Sequence, residues 1–492
     1  MQFTEMEEAT NNFVAWLKEK NVTISPEVTI ADLSAENQGR GVVAVEDIKP
    51  DENLFEIPLS AILNIETCSL VQDISNAKSV LLELNQWEAL ILVLLYELEV
   101  KQNDSKWLQY FRVLPICDEE NYKFDQLIFW SDEELFELSP SLIVERIGQK
   151  QAEKMFSKLS QVIENLGLDI KVSNEKYQKI ASVIMSYSFD VEFSNEEEEK
   201  EDENYENQTH SEILNDGYFK SMVPLADTLN ADTEFHNARL VYTEKSLIMT
   251  STKQIKKGEQ VYNTYSDHPN SEILRMYGYV QYHGSKFDFA EIPMSLIQNY
   301  FCDHYKLSKD YFQEILTTLG KIVTEENESN EFEDEVDIIL DAYDCFKSYE
   351  VQTEFLFVTQ LLTVIAMVSS SIQEKEDNYD VIKRIYKKCY QLVESNKLTN
   401  EFLENYKNIL NNRLSMYPEI SEVSNDCSRK AMAQTVLNSE ITSLKNCLEI
   451  NKTIKTETGP FKFIDDDKLI RNIMKKRFNS DEATNESKKP KK

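Results

Sequence analysis

The chain has 492 residues, 41% of them hydrophobic, with only 10 glycines and 11 prolines, so it can fill two to four domains with real cores and is too poor in turn formers for a mostly short-stranded β protein. A formal net charge of −35 excludes a surface built to embrace nucleic acid directly and favours a basic partner. Seven cysteines without C-x-x-C spacing, five scattered histidines and the polar start "MQFTEMEEAT" point to a reducing compartment, with no signal peptide and no metal site of the cysteine or histidine kind.

From the N-terminus, Phe13, Trp16 and Leu17 recur at helical spacing and predict an amphipathic helix within residues 1–25. Residues 26–65 read as β structure: "EVTIADL" and "GRGVVAVEDIKPDENLFEIP" are strand-like, with turn signals at Gly39, Gly41 and "KPDEN". Residues 66–220 read as a helical insert. Within it "SVLLELNQWEALILVLLYELEV" predicts one long apolar-striped helix and "KWLQYFRVLP" another, and Trp107 and Trp130 are expected in the core. The insert ends in a like-charge run, "NEEEEKEDENYENQTH", which predicts a solvated acidic loop over 191–212.

The β texture returns over 221–290, where "NARLVYT", "SLIMTST" and "EQVYNTY" predict short strands. Residues 291–472 read as helical throughout. "FLFVTQLLTVIAMV" is too short to span a bilayer and carries Thr359, Gln360 and Thr363, so a buried core helix is expected and no membrane span. Val436, Leu437, Ile441, Leu444 and Leu448 mark one face of a later helix. The tail 473–492 holds two basic clusters, Lys475-Lys476-Arg477 and Lys488 to Lys492, spaced like a bipartite nuclear import signal.

The chemistry-bearing stretches lie in the β texture. "QGRGVVA", Gln38 to Ala44, sets two glycines around one residue just before a strand, which lets backbone approach a ligand closely. It lacks the glycines of a dinucleotide or phosphate loop. "SMVPLADTLNAD" is an apolar run that stops in a polar turn at Asp227 and Asn230; a plain turn would explain it as well as a ligand site. "GEQVYNTYSD" follows, and then "YGY" from Tyr277. Tyr262 and Tyr265, three apart, fall on opposite faces of an extended segment.

These motifs, in this order, resemble those of the SET-domain methyltransferases. The resemblance is closest to the split-SET subclass that includes Rubisco large-subunit lysine methyltransferase, and within it to the fungal ribosomal lysine methyltransferases. It implies an α+β chain: a β-rich knotted SET core split by the helical insert and followed by an all-helical C-terminal substrate-binding domain. It implies S-adenosyl-L-methionine as methyl donor, no metal, and a protein lysine as acceptor, on a protein of the large (60S) ribosomal subunit. Tyr265 and Tyr277 become the expected catalytic tyrosines, Tyr265 the principal one. Gln38, Gly39, Arg40, Gly41, Tyr187 and Asn230, with the two tyrosines, become the expected donor contacts. One departure stands out, since the family motif ends in Asn-His and here Ala231 follows Asn230. A histone lysine, an actin-type histidine and a non-catalytic acidic scaffold remain as alternative readings. The chain is expected to act as a monomer in the nucleus, with a possible cytoplasmic share.

Overall fold

The computed structural model describes residues 2–117, 122–192, 211–329, 337–373, 378–420, 423–456 and 459–474. Most of the acidic loop and the basic clusters of the tail therefore lie outside the described residues. The chain forms two compact units, one of Met1–Asp288 with Ile420–Leu437, the other of Phe289–Glu419 with Asn438–Lys492.

The first unit opens with the helix Gln2–Glu19, whose Phe13, Trp16 and Leu17 are buried. Two sheets follow, built from β1 (Thr23–Ile24), β2 (Val28–Asp32), β3 (Arg40–Ala44), β4 (Asn53–Pro58), β7 (Ala238–Tyr242), β8 (Ser246–Ser251) and β9 (Gln260–Val261). Their orders are β1-β4-β8-β7 and β2-β3-β9, so residues on both sides of the insert complete each sheet. Inward residues alternate along these strands: Phe55 and Ile57 on β4, and Leu247 and Met249 on β8, are buried.

The insert differs from its sequence reading in two places. The expected single helix through Leu84 is two, Ala77–Leu82 and Gln86–Leu95. Asn85 accepts from the Glu88 amide while Glu88 reaches back to the Asn85 amide, a reciprocal cap that starts a new helix. The insert also ends in strands: β5 (Ser188–Glu192) pairs antiparallel with β6 (Tyr218–Met222), from Ser188↔Met222 to Glu192↔Tyr218. The acidic run connects these two strands.

The second unit is mainly helical, and the all-helical expectation is refined by small sheets. β10 (Phe289–Pro293) pairs antiparallel with β11 (Ala342–Phe346), and two further two-stranded ladders lie near its end. β10 and β11 are five residues each, too short for a period-2 pattern to stand out among the helical segments around them. The apolar stretch lies in the helix Thr353–Gln373, with Phe355, Val358, Leu361 and Ile365 buried. Two of its polar side chains are partnered inside the unit: Gln360 accepts from the Thr399 amide at 2.9 Å, and Thr363 accepts from Asn405 at 2.9 Å, while the Thr359 hydroxyl is buried without a partner among the described residues. Burial with internal hydrogen bonds is the behaviour of a core helix.

Candidate active site

The site is built where two loops of the first unit thread together. The loop after Leu229 runs beside the segment after β9, bridging in parallel at Ala231↔Asn263. The Asn263 amide donates to the Asn230 carbonyl at 2.9 Å, and the Asp232 amide to the Asn263 carbonyl at 3.2 Å. The Asn237 side chain then clasps the same segment, accepting from the Tyr262 amide at 2.9 Å and donating to the Gln260 carbonyl at 2.9 Å. This pairing shortens the strand expected from "EQVYNTY" to Gln260–Val261, because Tyr262 and Asn263 leave β9 to bond the other loop. The polar residues of "PLADTLNAD" are thus the backbone clasp of the threaded core.

Gly41 lies against that clasp. A Cβ there would meet Leu33 Cδ1 at 2.5 Å, Gln260 Oε1 at 2.8 Å and Asn230 Nδ2 at 2.9 Å, so any side chain would have to displace the ends of those three. Gly39 holds φ at +62°, the left-handed region. Asn230 donates to Gln260 Oε1 at 2.7 Å and to the Arg40 carbonyl at 3.3 Å. Both amide hydrogens are engaged, which leaves Oδ1 as its acceptor for a ligand. The Arg40 guanidinium points elsewhere, to Thr10 Oγ1 at 3.0 Å and the Val113 carbonyl at 3.1 Å, so Arg40 offers this site only its backbone. Gln38 is exposed and accepts from Gln260 at 2.6 Å.

Tyr265 and Tyr277 come together as the sequence suggested. Their rings stack with centroids 4.6 Å apart at 24°. Tyr277 ends the helix Asn270–Tyr277, and Gly278 caps it at φ +75°. Tyr265 donates its hydroxyl to the Leu229 carbonyl at 2.9 Å. Burial pushes the Tyr265 phenol far above its ordinary range and the Tyr277 phenol up to about 12, so both stay neutral at working pH. They line a narrow pocket together with Ala231, Thr233, His268 and Tyr279. Burial also lowers the His268 pKa, which favours its neutral ring.

Three partners, Tyr279, Tyr122 and Tyr110, were not singled out from sequence. Tyr279 sits 6.4 Å from Tyr277, ring to ring, and donates to the Ala231 carbonyl at 3.4 Å. The second tyrosine of "YGY" was the signal for it. Tyr187 hydrogen-bonds Tyr122, and burial raises its phenol well above the usual value. Tyr110, from the insert, donates to the buried Asp227 carboxylate. Burial lifts Asp227 to about 7 against that hydrogen bond. Nothing in spacing links residues 110, 122 and 227, which meet only in the fold. Trp107 and Trp130 are buried, as expected of core residues.

Among the described residues no group of three or more histidine, cysteine, aspartate or glutamate side chains is placed to hold a metal ion. The arrangement sets neutral phenols around a narrow pocket whose wall includes Ala231, the residue next to the Asn230 amide.

The SET domain family matches residues 39–266 of this chain. The sequence is 38% identical to ribosomal lysine N-methyltransferase 4 of Saccharomyces cerevisiae, over 96% of this chain and 97% of that one. It is 29% identical to N-lysine methyltransferase SETD6 of Rattus norvegicus, over 59% of this chain and 58% of the relative. The solved structure of Rubisco LSMT bound to AdoMet shares the fold with a TM-score of 0.59 at 19% identity, covering 96% of this chain and 98% of that chain. With a threaded core, a tyrosine-lined pocket and a relative of this similarity along nearly its whole length, the chain belongs to the SET-domain family of protein-lysine methyltransferases.

Proposed function

We propose that this protein transfers a methyl group from S-adenosyl-L-methionine to a lysine of a large-subunit ribosomal protein. The observation that carries this reading is the 38% identity to a ribosomal lysine methyltransferase over 96% of the chain, which runs through both units and not through the SET match alone. The net charge of −35 agrees with a lysine-rich client, because opposite charge speeds encounter.

The residues fit the donor. The side-chainless position at Gly41 and the left-handed turn at Gly39 leave a ribbon of backbone that a flat, polar molecule can approach. Asn230 Oδ1 is a ready acceptor for the donor's ammonium group, with Gln38, the Arg40 backbone and Tyr187 as further contacts. When bound, the donor supplies an electrophilic methyl group on a positively charged sulfur.

The chain's own residues prepare the lysine. A free lysine, with a pKa of about 10.4, is almost wholly protonated at neutral pH. The phenol-lined pocket penalises the ammonium form and lowers that pKa. Tyr265 has already given its hydroxyl hydrogen to Leu229, so its oxygen faces the pocket as an acceptor and can orient an amine N–H. Tyr277, stacked on it, fixes the ring and walls the channel. Alignment of the amine at about 3–3.5 Å from the methyl carbon supplies much of the rate.

The test is transfer of labelled methyl from S-adenosyl-L-methionine into large-subunit ribosomal proteins from cells lacking this chain. One labelled band, mapped to lysine and lost with Tyr265→Phe, is the expected result. Label on a histone, or on histidine, would replace the substrate assignment. The basic tail clusters support nuclear residence of the enzyme, which we read as a monomer; a tail deletion that left a fluorescent fusion nuclear would overturn the residence.

A further inference from the structure

The Asn230 amide is the last member of a relay of side-chain amides. Asn230 Nδ2 donates to Gln260 Oε1 at 2.7 Å. Gln260 Nε2 in turn donates to Gln38 Oε1 at 2.6 Å and to the Tyr262 hydroxyl at 2.8 Å. Both Nε2 hydrogens are engaged, so Gln260 turns its oxygen to Asn230. The backbone holds the relay in register: Gln260 lies opposite Val43 in the β3–β9 ladder, and the Tyr262 amide donates to Asn237 Oδ1 at 2.9 Å. Gly41 gives the amide pair its room, because a Cβ there would lie 2.8 Å from Gln260 Oε1 and 2.9 Å from Asn230 Nδ2.

We propose that Gln260 is a positioning residue for the methyl donor, setting the Asn230 amide so that Oδ1 faces the donor's ammonium group. The proposal rests on the donor reading above, in which that ammonium donates to Asn230 Oδ1. An asparagine amide has nearly the same shape when its oxygen and nitrogen are exchanged, so hydrogen-bond partners decide its direction. A reversed Asn230 would aim N–H groups at a cation and repel it. Gln260 Oε1 opposes the reversal most strongly, since the Arg40 carbonyl is farther from Nδ2, at 3.3 Å. The relay also polarises toward the ligand, because an amide that donates becomes a better acceptor at its own oxygen. A ligand-binding side chain locked in this way by a second layer of hydrogen bonds binds without first paying to be ordered.

The experiment measures the affinity of the full-length chain for S-adenosyl-L-homocysteine by calorimetry, and for 5′-methylthioadenosine, which lacks the amino-acid end, by competition. Wild type is compared with Gln260→Leu, Gln260→Glu and Asn230→Ala. Gln260→Leu should weaken S-adenosyl-L-homocysteine about five-fold, close to the worth of one hydrogen bond, and leave 5′-methylthioadenosine unchanged. Gln260→Glu keeps an oxygen for Asn230 and should recover most of that affinity. In turnover, Gln260→Leu should raise the KM for S-adenosyl-L-methionine with kcat nearly level. An equal loss for both ligands would make Gln260 merely structural and overturn the proposal. Wild-type affinity in Gln260→Leu beside weakened binding in Asn230→Ala would overturn it too, while leaving the donor reading intact. Unchanged affinity in Asn230→Ala would remove Asn230 from the donor site, and the role of Gln260 with it. Gln260→Met, similar in length to glutamine, repeats the comparison if the leucine variant melts early.

Discussion

Tyr265 shows how one hydrogen bond sets a residue's chemistry. With its hydroxyl donated to Leu229 at 2.9 Å and its phenol kept neutral by burial, it can only accept from the pocket side. Tyr265→Phe should keep the fold and the donor affinity, and lower kcat by about 10²-fold or more, in line with loss of a positioned polar group. Near wild-type turnover would remove Tyr265 from the mechanism. Asn230→Ala removes the Oδ1 acceptor and should weaken donor binding about ten-fold, the equivalent of one good hydrogen bond, as read by calorimetry. Asp227 makes a pH-dependent statement. Its carboxyl is raised from 3.8 to about 7 by burial, so its contribution to stability is fully present below pH 3.8 and is lost as pH rises through 7. Asp227→Asn keeps an acceptor for Tyr110 and has no such loss. The variant should therefore gain on the wild type between pH 4 and 7, by roughly 4 kcal/mol, and hold that gain above pH 7. A stability difference that is flat with pH in denaturant titrations would contradict it.

At the scale of elements, the segment 420–437 returns to the first unit and clamps the insert. Arg429 donates to Asp125 at 2.8 Å, to Glu134 at 2.6 Å, and to the Phe124 and Phe129 carbonyls at 3.0 Å each. Its guanidinium also lies 5.7 Å from the Trp130 ring centre. The loop so held carries Gln126, which donates to Ser186 at 3.1 Å, and Ser186 donates to the Met276 carbonyl at 2.8 Å. The Gln126 backbone also packs on Gly278, where a Cβ would come within 2.9 Å of its nitrogen. Arg429 is thus a positioning residue for the helix end that presents Tyr277. Arg429→Ala should cost about 2 kcal/mol, from the lost charge-assisted hydrogen bonds. It should lower kcat more than it raises KM. A fall in melting temperature with unchanged kcat would restrict Arg429 to stability.

At the scale of the whole molecule, a charge of −35 would act on encounter with a basic client and not on the chemical step. Attraction to a basic client is screened over about 8 Å at physiological ionic strength. The apparent KM for a ribosomal protein should therefore climb with added salt while kcat stays level. An unchanged KM between low and high salt would show that the acidic surface plays no part in capture.

The sequence alone determined the pieces whose signal is local. Alternating strands, the G-x-G that opens β3, the "YGY" at a helix end and the ordered motifs are written in adjacent residues, and Tyr265, Tyr277, Gly41 and Asn230 were singled out there. The break at Asn85 was also local, a capping box set inside an apolar run whose hydrophobicity concealed it. The tertiary structure decided the rest. Pairs such as Tyr110 with Asp227, Tyr187 with Tyr122 and Arg429 with Asp125 join residues 65 to 304 positions apart, and no periodicity records them. Which way the Arg40 side chain turns, which atoms of Asn230 remain for a ligand, and the raised carboxyl of Asp227 follow from burial and directional hydrogen bonds. Those exist only once the threaded core has closed.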